Sequence, residues 1–329
     1  MITAIIPIDL SRRAKDILQR SLLLASHAEK CNFRIVFGHN NRATKADAIF
    51  EKEILKFKTS SIVSITTESK NINSASLRNI AFKKVETPYL ILLDVDIFPD
   101  FYLFNKYLQK IEKGEKPFYI LPCLYLTRYG SKLLTSKKAN LEEMKARYYS
   151  FSRKEFLHLA CPSSITIMKS SDFKKLNGFN EEFEGHGYED FDFLLRLCKI
   201  YKLVAAYPDL VVDKSARSPL FALGFRKYIG ELCLETLLKK EMAFHLYHDK
   251  SSSEGYYLKR RENYKIFLKE HGEGLDENFS SQPTLISSFV NLCSTEGVRV
   301  HDYSILFENK PGHIDRFDTF KKRLRFLLK

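Results

Sequence analysis

Two aspartates, Asp94 and Asp96, come directly after the apolar run of residues 89–93. An unbroken apolar run of this length is typical of a strand buried on both faces of a parallel sheet. In an extended chain, residues two apart point the same way, so the two carboxylates lie together at the carboxyl end of the strand, where open α/β sheets bind ligands. A hard divalent cation that also takes phosphate oxygens would offset their repulsion. The alternative is a solvated turn that Pro99 and Asp100 close.

Two further carboxylates, Glu189 and Asp190, end a loop that contains three glycines and several acids, residues 176–188. The apolar positions that follow predict a helix beginning near Glu189. One interpretation is ordinary capping, because negative charge is favourable in the first turn of a helix. The other is catalytic: a carboxylate held beside a glycine loop can accept a proton from a hydroxyl nucleophile.

A pair of histidines, His245 and His248, follows an apolar segment near the end of the first 250 residues. Their spacing allows either imidazole to face a metal ion that is held elsewhere. Histidines at such positions also occur as structural or surface residues, so both interpretations stay open at this point.

The elements that must position these side chains alternate between strand and helix. Such alternation with short connections is typical of a doubly wound α/β domain. Strands are predicted at residues 2–8, 32–38, 61–66 and 89–93, and helices at 12–29, 46–57, 74–84 and 102–113. Later strands are predicted at residues 117–122, 163–168, 203–208 and 210–212, with helix and loop over 128–156 and a largely helical section over 255–329.

Composition limits the class of protein. Hydrophobic residues at 44% and charged residues at 28% indicate a globular rather than a disordered chain. The six cysteines form no CxxC pair, and no secretory signal or membrane-length apolar run is evident, so the sequence predicts a cytoplasmic protein with reduced thiols. The net charge of +13 indicates an anionic ligand or surface.

Taken in order, these stretches resemble the GT-A glycosyltransferases, most closely the bacterial family 2 type that builds capsule or other surface polysaccharide. The resemblance runs from Ile2 to about Lys250. Gly178-Phe179 followed by Gly187-Tyr-Glu-Asp190 is similar to the acceptor loop of inverting galactosyl- and N-acetylhexosaminyltransferases. The resemblance implies a Rossmann-like, mostly parallel sheet flanked by helices. It also implies a catalytic domain over residues 1–250 and a helical C-terminal extension over 251–329.

The resemblance also implies roles for individual residues. Pro7 and Asp9 end the nucleotide-binding first strand, and Arg78 and Asn79 lie on a helix that approaches the nucleotide-sugar. By the same resemblance, Asp94 and Asp96 hold Mn²⁺ or Mg²⁺ on the diphosphate, and His248 or His245 is a later metal ligand. For the reacting hydroxyl, the resemblance implies that Asp190 is the base and that Glu189 helps to hold the acceptor.

The implied activity is transfer of a sugar from a UDP-sugar to an oligo- or polysaccharide acceptor, with inversion. The acceptor could be lipid-linked, because residues 317–329 alternate apolar and basic side chains in a pattern that fits a helix on the inner membrane surface or one docked on the protein. Two alternatives are a polyanion- or nucleic-acid-binding protein and another metal-dependent, nucleotide-using transferase. Nucleic acid is not an expected partner, because no recognition module accompanies the basic residues. The sequence has no Gly-rich phosphate loop with Lys-Ser/Thr, which counts against a P-loop version of the second alternative.

Overall fold

The computed structural model describes residues 1–66, 72–214, 216–249, 259–276 and 282–308. The chain divides into two compact units that alternate along the sequence. Unit 1 comprises Met1–Tyr119, Ser164–Ala205 and Lys250–Gly274, and unit 2 comprises Ile120–Ser163, Ala206–Asp249 and Leu275–Lys329.

Short strands and helices alternate through the described residues. The strands are β1 (Ile2–Asp9), β2 (Arg34–Asn40), β3 (Ser60–Ile65), β4 (Tyr89–Leu92), β5 (Tyr119–Ile120), β6 (Cys123–Leu126), β7 (Phe156–Ala160), β8 (Thr166–Lys169), β9 (Asp213–Lys214), β10 (Leu223–Gly224) and β11 (Ala243–His245). The helices are α1 (Ala14–Lys30), α2 (Lys45–Ile54), α3 (Ser74–Phe82), α4 (Phe101–Glu112), α5 (Arg128–Thr135), α6 (Leu141–Tyr149), α7 (Ser170–Lys175), α8 (Glu189–Ile200), α9 (Phe225–Glu231), α10 (Leu234–Leu238), α11 (Arg260–His271) and α12 (Leu285–Thr295). Two 3₁₀ helices cover Pro219–Phe221 and Val300–Phe307.

The central sheet has the strand order β3-β2-β1-β4-β8-β5. Strand β1 pairs in parallel with both β2 and β4, and β2 pairs in parallel with β3, whereas β8 runs antiparallel to β4. Ala4, Ile5 and Ile6 of β1 are fully buried, as expected for a strand covered on both faces. The predicted Rossmann-like, mostly parallel sheet with flanking helices is confirmed.

Helix α3 lies unusually close to the sheet. A Cβ atom added to Gly38 of β2 would fall 1.8 Å from the carbonyl oxygen of Leu77. Only glycine therefore lets the helix backbone approach the strand at this point. The adjacent residue on the helix is Arg78, so this contact fixes the depth at which its side chain leaves the helix.

Three of the later strand predictions need correction. The predicted strand at 117–122 is reduced to the two residues of β5, and the next strand, β6, begins just beyond the predicted range and belongs to a different sheet. The predicted strands at 203–208 and 210–212 are wrong, because residues 201–212 are turns and irregular backbone. Val204, Tyr207 and Leu210 are buried there, so the apolar pattern reflects side-chain burial without strand pairing.

Unit 2 contains a three-stranded sheet of order β11-β6-β7 and a two-stranded sheet of β9 and β10. Strand β11 runs parallel to β6, and β7 runs antiparallel to β6. The expected helix and loop over residues 128–156 correspond to α5 and α6. The basic amphipathic pattern of residues 317–329 lies outside the described residues. None of the helices in the described part of the chain is both long and apolar enough to cross a bilayer.

Candidate functional site

Asp9, at the carboxyl end of β1, is a hydrogen-bonded carboxylate. Pro7 lies in the same strand, opposite Gly38 of β2. Arg42 Nη2 donates to Asp9 Oδ2 at 2.9 Å, Asn40 Nδ2 donates to the same oxygen at 2.7 Å, and the Ser11 amide donates to Oδ1 at 2.9 Å. Burial alone would raise the pKa of Asp9, but the bonds from Arg42, Ser11 and Asn40 outweigh it and hold the pKa below its ordinary value. Asp9 is therefore a fixed anion at the strand end. Its role in nucleotide binding stays a prediction.

One arginine connects two of the predicted functional stretches. Arg78 of α3 donates from Nη2 to Asp94 Oδ1 at 2.6 Å, and its Nη1 lies 3.2 Å from Asp190 Oδ1. The Arg78 side chain is 2% exposed, so these ion pairs are little screened by solvent. Ser164 Oγ donates to the other oxygen of Asp94 at 3.0 Å. Residues that are far apart in sequence thus form one charged cluster at the end of β4.

Glu189 and Asp190 begin α8 as predicted. Burial raises the pKa of Glu189, and the neighbouring charge of Asp190 raises it further. Burial also raises the pKa of Asp190, while Arg78 opposes this effect and Asp94 adds to it. Oε2 of Glu189 is buried without a hydrogen-bond partner among the residues that the structure describes. Asp190 keeps 29% of its side chain exposed, so Asp190 is the carboxylate of the two that a hydroxyl from solvent can reach.

Asn79, the neighbour of Arg78, has a different environment. Its Nδ2 donates to the Phe179 carbonyl at 2.9 Å and to Glu181 Oε1 at 2.8 Å, and its Oδ1 accepts from the Phe179 amide at 2.8 Å. These bonds hold the start of the acceptor-like loop against α3. The structure thus places Asn79 as a loop contact, and the predicted contact with the nucleotide-sugar stays a prediction.

Asp96 is bound by two arginines of the α1 region that the sequence prediction missed. Arg13 donates from Nη2 to Asp96 Oδ2 at 2.8 Å and from Nη1 to Oδ1 at 3.1 Å, and Arg20 Nη1 also donates to Oδ1. Both guanidiniums pair with Asp16 as well. Arg13, Asp16 and Arg20 are spaced i, i+3 and i+7, which places them on one helical face. That spacing predicts one charged helix face, but it does not show that this face meets Asp96.

In unit 2, the two histidines that the sequence singles out, His245 and His248, have the same tautomer. Nδ1 of His245 lies 2.9 Å from the Leu246 carbonyl, and Nδ1 of His248 lies 3.2 Å from the Asp249 carbonyl. Because a carbonyl only accepts, each Nδ1 carries the proton and each Nε2 carries the lone pair. That is the form in which imidazole binds a metal ion, with the backbone bond orienting the ring. The donor atoms of both histidines fit a divalent cation.

The ring of His245 is also held from one side. It stacks on Tyr125 of β6 at 4.0 Å between ring centroids, and Tyr125 stacks in turn on His158 of β7 at 4.3 Å. The strand register places these three side chains in one row across the small sheet. The stack restricts the orientation of His245 before any ligand arrives.

Tyr188, the last residue of the acceptor-like loop before α8, is buried. Its backbone is left-handed, with φ of 75°, and its ring packs against Tyr264 and Phe267 of α11, with Arg260 over its face. The side chain is 4% exposed, so its ring cannot serve as an open platform for a sugar. It anchors the turn that leads into α8.

The acceptor-like loop is held from the other side by Asn263 of α11, which the sequence prediction also missed. Asn263 Nδ2 donates to the Glu184 carbonyl at 2.8 Å and to the Gly187 carbonyl at 3.0 Å. Asn263 is 2% exposed. Because its amide bridges both ends of the turn, it fixes the backbone that presents Glu189 and Asp190.

We expect Asn263→Ala to loosen this turn. The variant removes two buried hydrogen bonds and leaves two carbonyls unpaired, a loss of roughly 1–3 kcal/mol in the free energy of unfolding. Hydrogen exchange of the amides at residues 184–188 should become faster, while that of β1 should not change. Lys265→Ala, an exposed substitution on the same helix, is the control. Equal exchange in the two variants would show that Asn263 does not hold the loop.

Comparison with known proteins identifies a family. The family model described as "Glycosyltransferase like family 2" matches residues 3–271. No curated protein matches the chain.

Solved structures that the chain matches include two of TarS, a mannosyltransferase and a galactosyltransferase. Staphylococcus aureus TarS 1–349 in complex with UDP-GlcNAc has a TM-score of 0.46 and 15% identity, covering 95% of this chain and 82% of that chain. The mannosyltransferase PcManGT from Pyrobaculum calidifontis, in complex with GDP-Man and Mn²⁺, has a TM-score of 0.43 and 9% identity, covering 99% and 78%. The catalytic domain of Drosophila β1,4-galactosyltransferase 7 with xylobiose has a TM-score of 0.31 and 17% identity, covering 59% of each chain. A second TarS 1–349 structure has a TM-score of 0.38 and 18% identity. The match covers 60% of this chain and spans 54% of the length of that chain. Likenesses this weak identify no substrate.

Proposed function

The chain belongs to the glycosyltransferase family 2-like proteins, and from that premise we propose that it is a metal-dependent, inverting glycosyltransferase. The proposed reaction moves a sugar from a UDP-sugar to a hydroxyl group of a growing bacterial surface polysaccharide, in capsule or lipopolysaccharide. The observation that carries the proposal is the cluster in which Arg78 joins Asp94, at the end of β4, to Asp190, at the start of α8. It brings a strand-end carboxylate and a candidate base into one site.

In the proposed mechanism, Asp190 accepts the proton of the acceptor hydroxyl as its oxygen forms a bond to the anomeric carbon. The bond between that carbon and the diphosphate oxygen breaks, and UDP leaves with the electron pair. A single base acting on the face opposite the leaving group gives inversion of configuration. The buried carboxyl of Glu189 would hold the acceptor by a hydrogen bond, since its raised pKa favours the protonated, donating form.

The proposed residues for the divalent cation are Asp94 and Asp96, joined, by the family resemblance, by His245 and His248. Carboxylate oxygens suit Mg²⁺ and Mn²⁺, and the Nε2 lone pairs of the two histidines add nitrogen donors. When bound, the cation would supply charge stabilisation for the departing diphosphate. The hydrogen bond from Arg78 Nη2 to Asp94 Oδ1 would orient Asp94 for this role.

The proposal is tested by UDP release across a panel of UDP-sugars with Mn²⁺ and a mixture of oligosaccharide acceptors. We expect one donor to give turnover that EDTA abolishes. Binding of UDP that depends on Mn²⁺, without transfer from any donor to any acceptor, would favour another nucleotide-using transferase. Folded protein that binds no UDP in the presence of Mn²⁺ would contradict the proposal.

The pH dependence of that turnover is a further test. A base acts as the carboxylate, so the rate falls as the pH falls through the pKa of Asp190. Because burial raises this pKa, we expect the acidic limb of kcat/KM at a higher pH than the ordinary aspartate value of about 3.9. The rate should level off above that limb. An acidic limb at the ordinary value would show that Asp190 is not the titrating base.

A further inference from the structure

Asp96 has more positive charge around it than one carboxylate needs. Arg13 and Arg20 both bind it, and the Asp96 side chain is 8% exposed while those of the arginines are 20% and 11% exposed. Asp16 completes the group by pairing with both arginines. Two cations and two anions balance in a setting that solvent reaches only partly.

This arrangement weakens the binding of a divalent cation at Asp96, which is a metal ligand under the proposed function. Three of the carboxylate's hydrogen-bond positions are taken by guanidinium N–H groups. A divalent cation that binds Asp96 must displace at least part of this set, and it then lies beside two guanidiniums of like charge. Binding of the cation alone is therefore opposed by the two arginines.

The diphosphate of the donor would reverse this opposition. It brings negative charge beside the cation, and guanidinium groups match phosphate oxygens with paired hydrogen bonds. Released from Asp96, the two arginines would share the single carboxylate of Asp16, so a further anion would restore the balance of charge in this partly buried group. A diphosphate bound to the cation is the anion that the proposed reaction supplies.

We propose that Arg13 and Arg20 exchange partners, pairing with Asp96 while no donor is bound and turning to the donor's diphosphate when the divalent cation takes Asp96. This inference rests on the proposed function. It makes the two arginines donor-binding residues, and it couples metal binding to nucleotide binding. By linkage, UDP tightens Mn²⁺ binding by the same factor by which Mn²⁺ tightens UDP binding.

The test is calorimetric titration of Mn²⁺ alone, UDP alone and each in the presence of the other, in the full chain. Arg20→Met keeps the aliphatic stem and removes the charge. We expect it to bind Mn²⁺ alone more tightly than the wild type, to bind UDP in the presence of Mn²⁺ about tenfold more weakly, and to lose most of the coupling. Arg13→Met, measured in parallel, tests the same exchange from the other guanidinium. Lys15→Met removes an exposed charge from the same helix and is the control.

Coupling and affinities equal to the wild type in both arginine variants would overturn the inference and leave the proposed function standing. Tighter Mn²⁺ binding with unchanged UDP binding would overturn the transfer to the diphosphate. Absence of Mn²⁺-dependent UDP binding in the wild type would overturn the proposed function and this inference with it.

Discussion

Asp190→Asn should lower kcat by roughly 10²–10⁴-fold, the usual contribution of a positioned general base. The asparagine has nearly the same size and can still accept a hydrogen bond from Arg78, but it cannot take a proton from the acceptor hydroxyl. Binding of UDP with Mn²⁺ should stay close to the wild-type value, because Asp190 is not one of the proposed metal ligands. Single-turnover kinetics with saturating donor would separate this loss of chemistry from a loss of binding.

Two other carboxylates of the same loop region serve as comparisons for Asp190. Glu189→Gln should have a small effect that is confined to the KM for the acceptor, since the amide can still donate a hydrogen bond. Glu182→Gln changes an exposed acid and should leave the rate within about twofold, as surface substitutions have small effects. A loss in Glu189→Gln that equals or exceeds the loss in Asp190→Asn would assign the base to Glu189 instead.

Asp96→Asn should weaken Mn²⁺-dependent binding of UDP and lower turnover by more than about 100-fold, because a metal ion supplies several kcal/mol of charge stabilisation to the leaving diphosphate. The change keeps the size of the side chain and removes the anionic oxygens. Excess Mn²⁺ should restore part of the binding. Titration of UDP with and without EDTA, in both the variant and the wild type, measures the effect.

The matched control for Asp96→Asn is Asp100→Asn. Asp100 lies four residues further on, is 8% exposed, and caps α4 by accepting from the Leu103 amide at 3.1 Å. Asparagine caps a helix about as well as aspartate, so this variant should keep UDP binding. Equal behaviour of the two variants would favour the structural interpretation of the Asp-x-Asp turn.

The sequence predicted the parallel strands and the helices between them well, because buried strands appear as apolar runs and amphipathic helices as apolar residues at a helical spacing. The antiparallel direction of β8 could not be predicted, since its apolar run has the same composition in either direction. Likewise, residues 203–212 contain buried apolar side chains without strand pairing, and composition does not separate the two cases.

In the site, the sequence identified the carboxylates but not their partners. Asp94, Asp96 and Asp190 are visible because acidic residues at the ends of apolar runs are unusual. Arg13, Arg20 and Asn263 lie in helices where charged and polar residues are common, and only the tertiary structure shows which of them face the site. The role of Arg78 as a bridge depends on the close approach of α3 at Gly38, which no local pattern predicts.

The clamp on the acceptor-like loop has a consequence for how the protein is made. Asn263 reaches back across 79 and 76 positions to Glu184 and Gly187, after the chain has passed through residues 206–249 of unit 2. Domains form in order as the chain leaves the ribosome, so a nascent chain carries its sheet and both strand-end aspartates well before the turn at Asp190 is fixed. Under the proposed function, catalytic competence would therefore arrive late in synthesis, and a chain that stops before α11 would have the proposed donor half of the site without a fixed acceptor half.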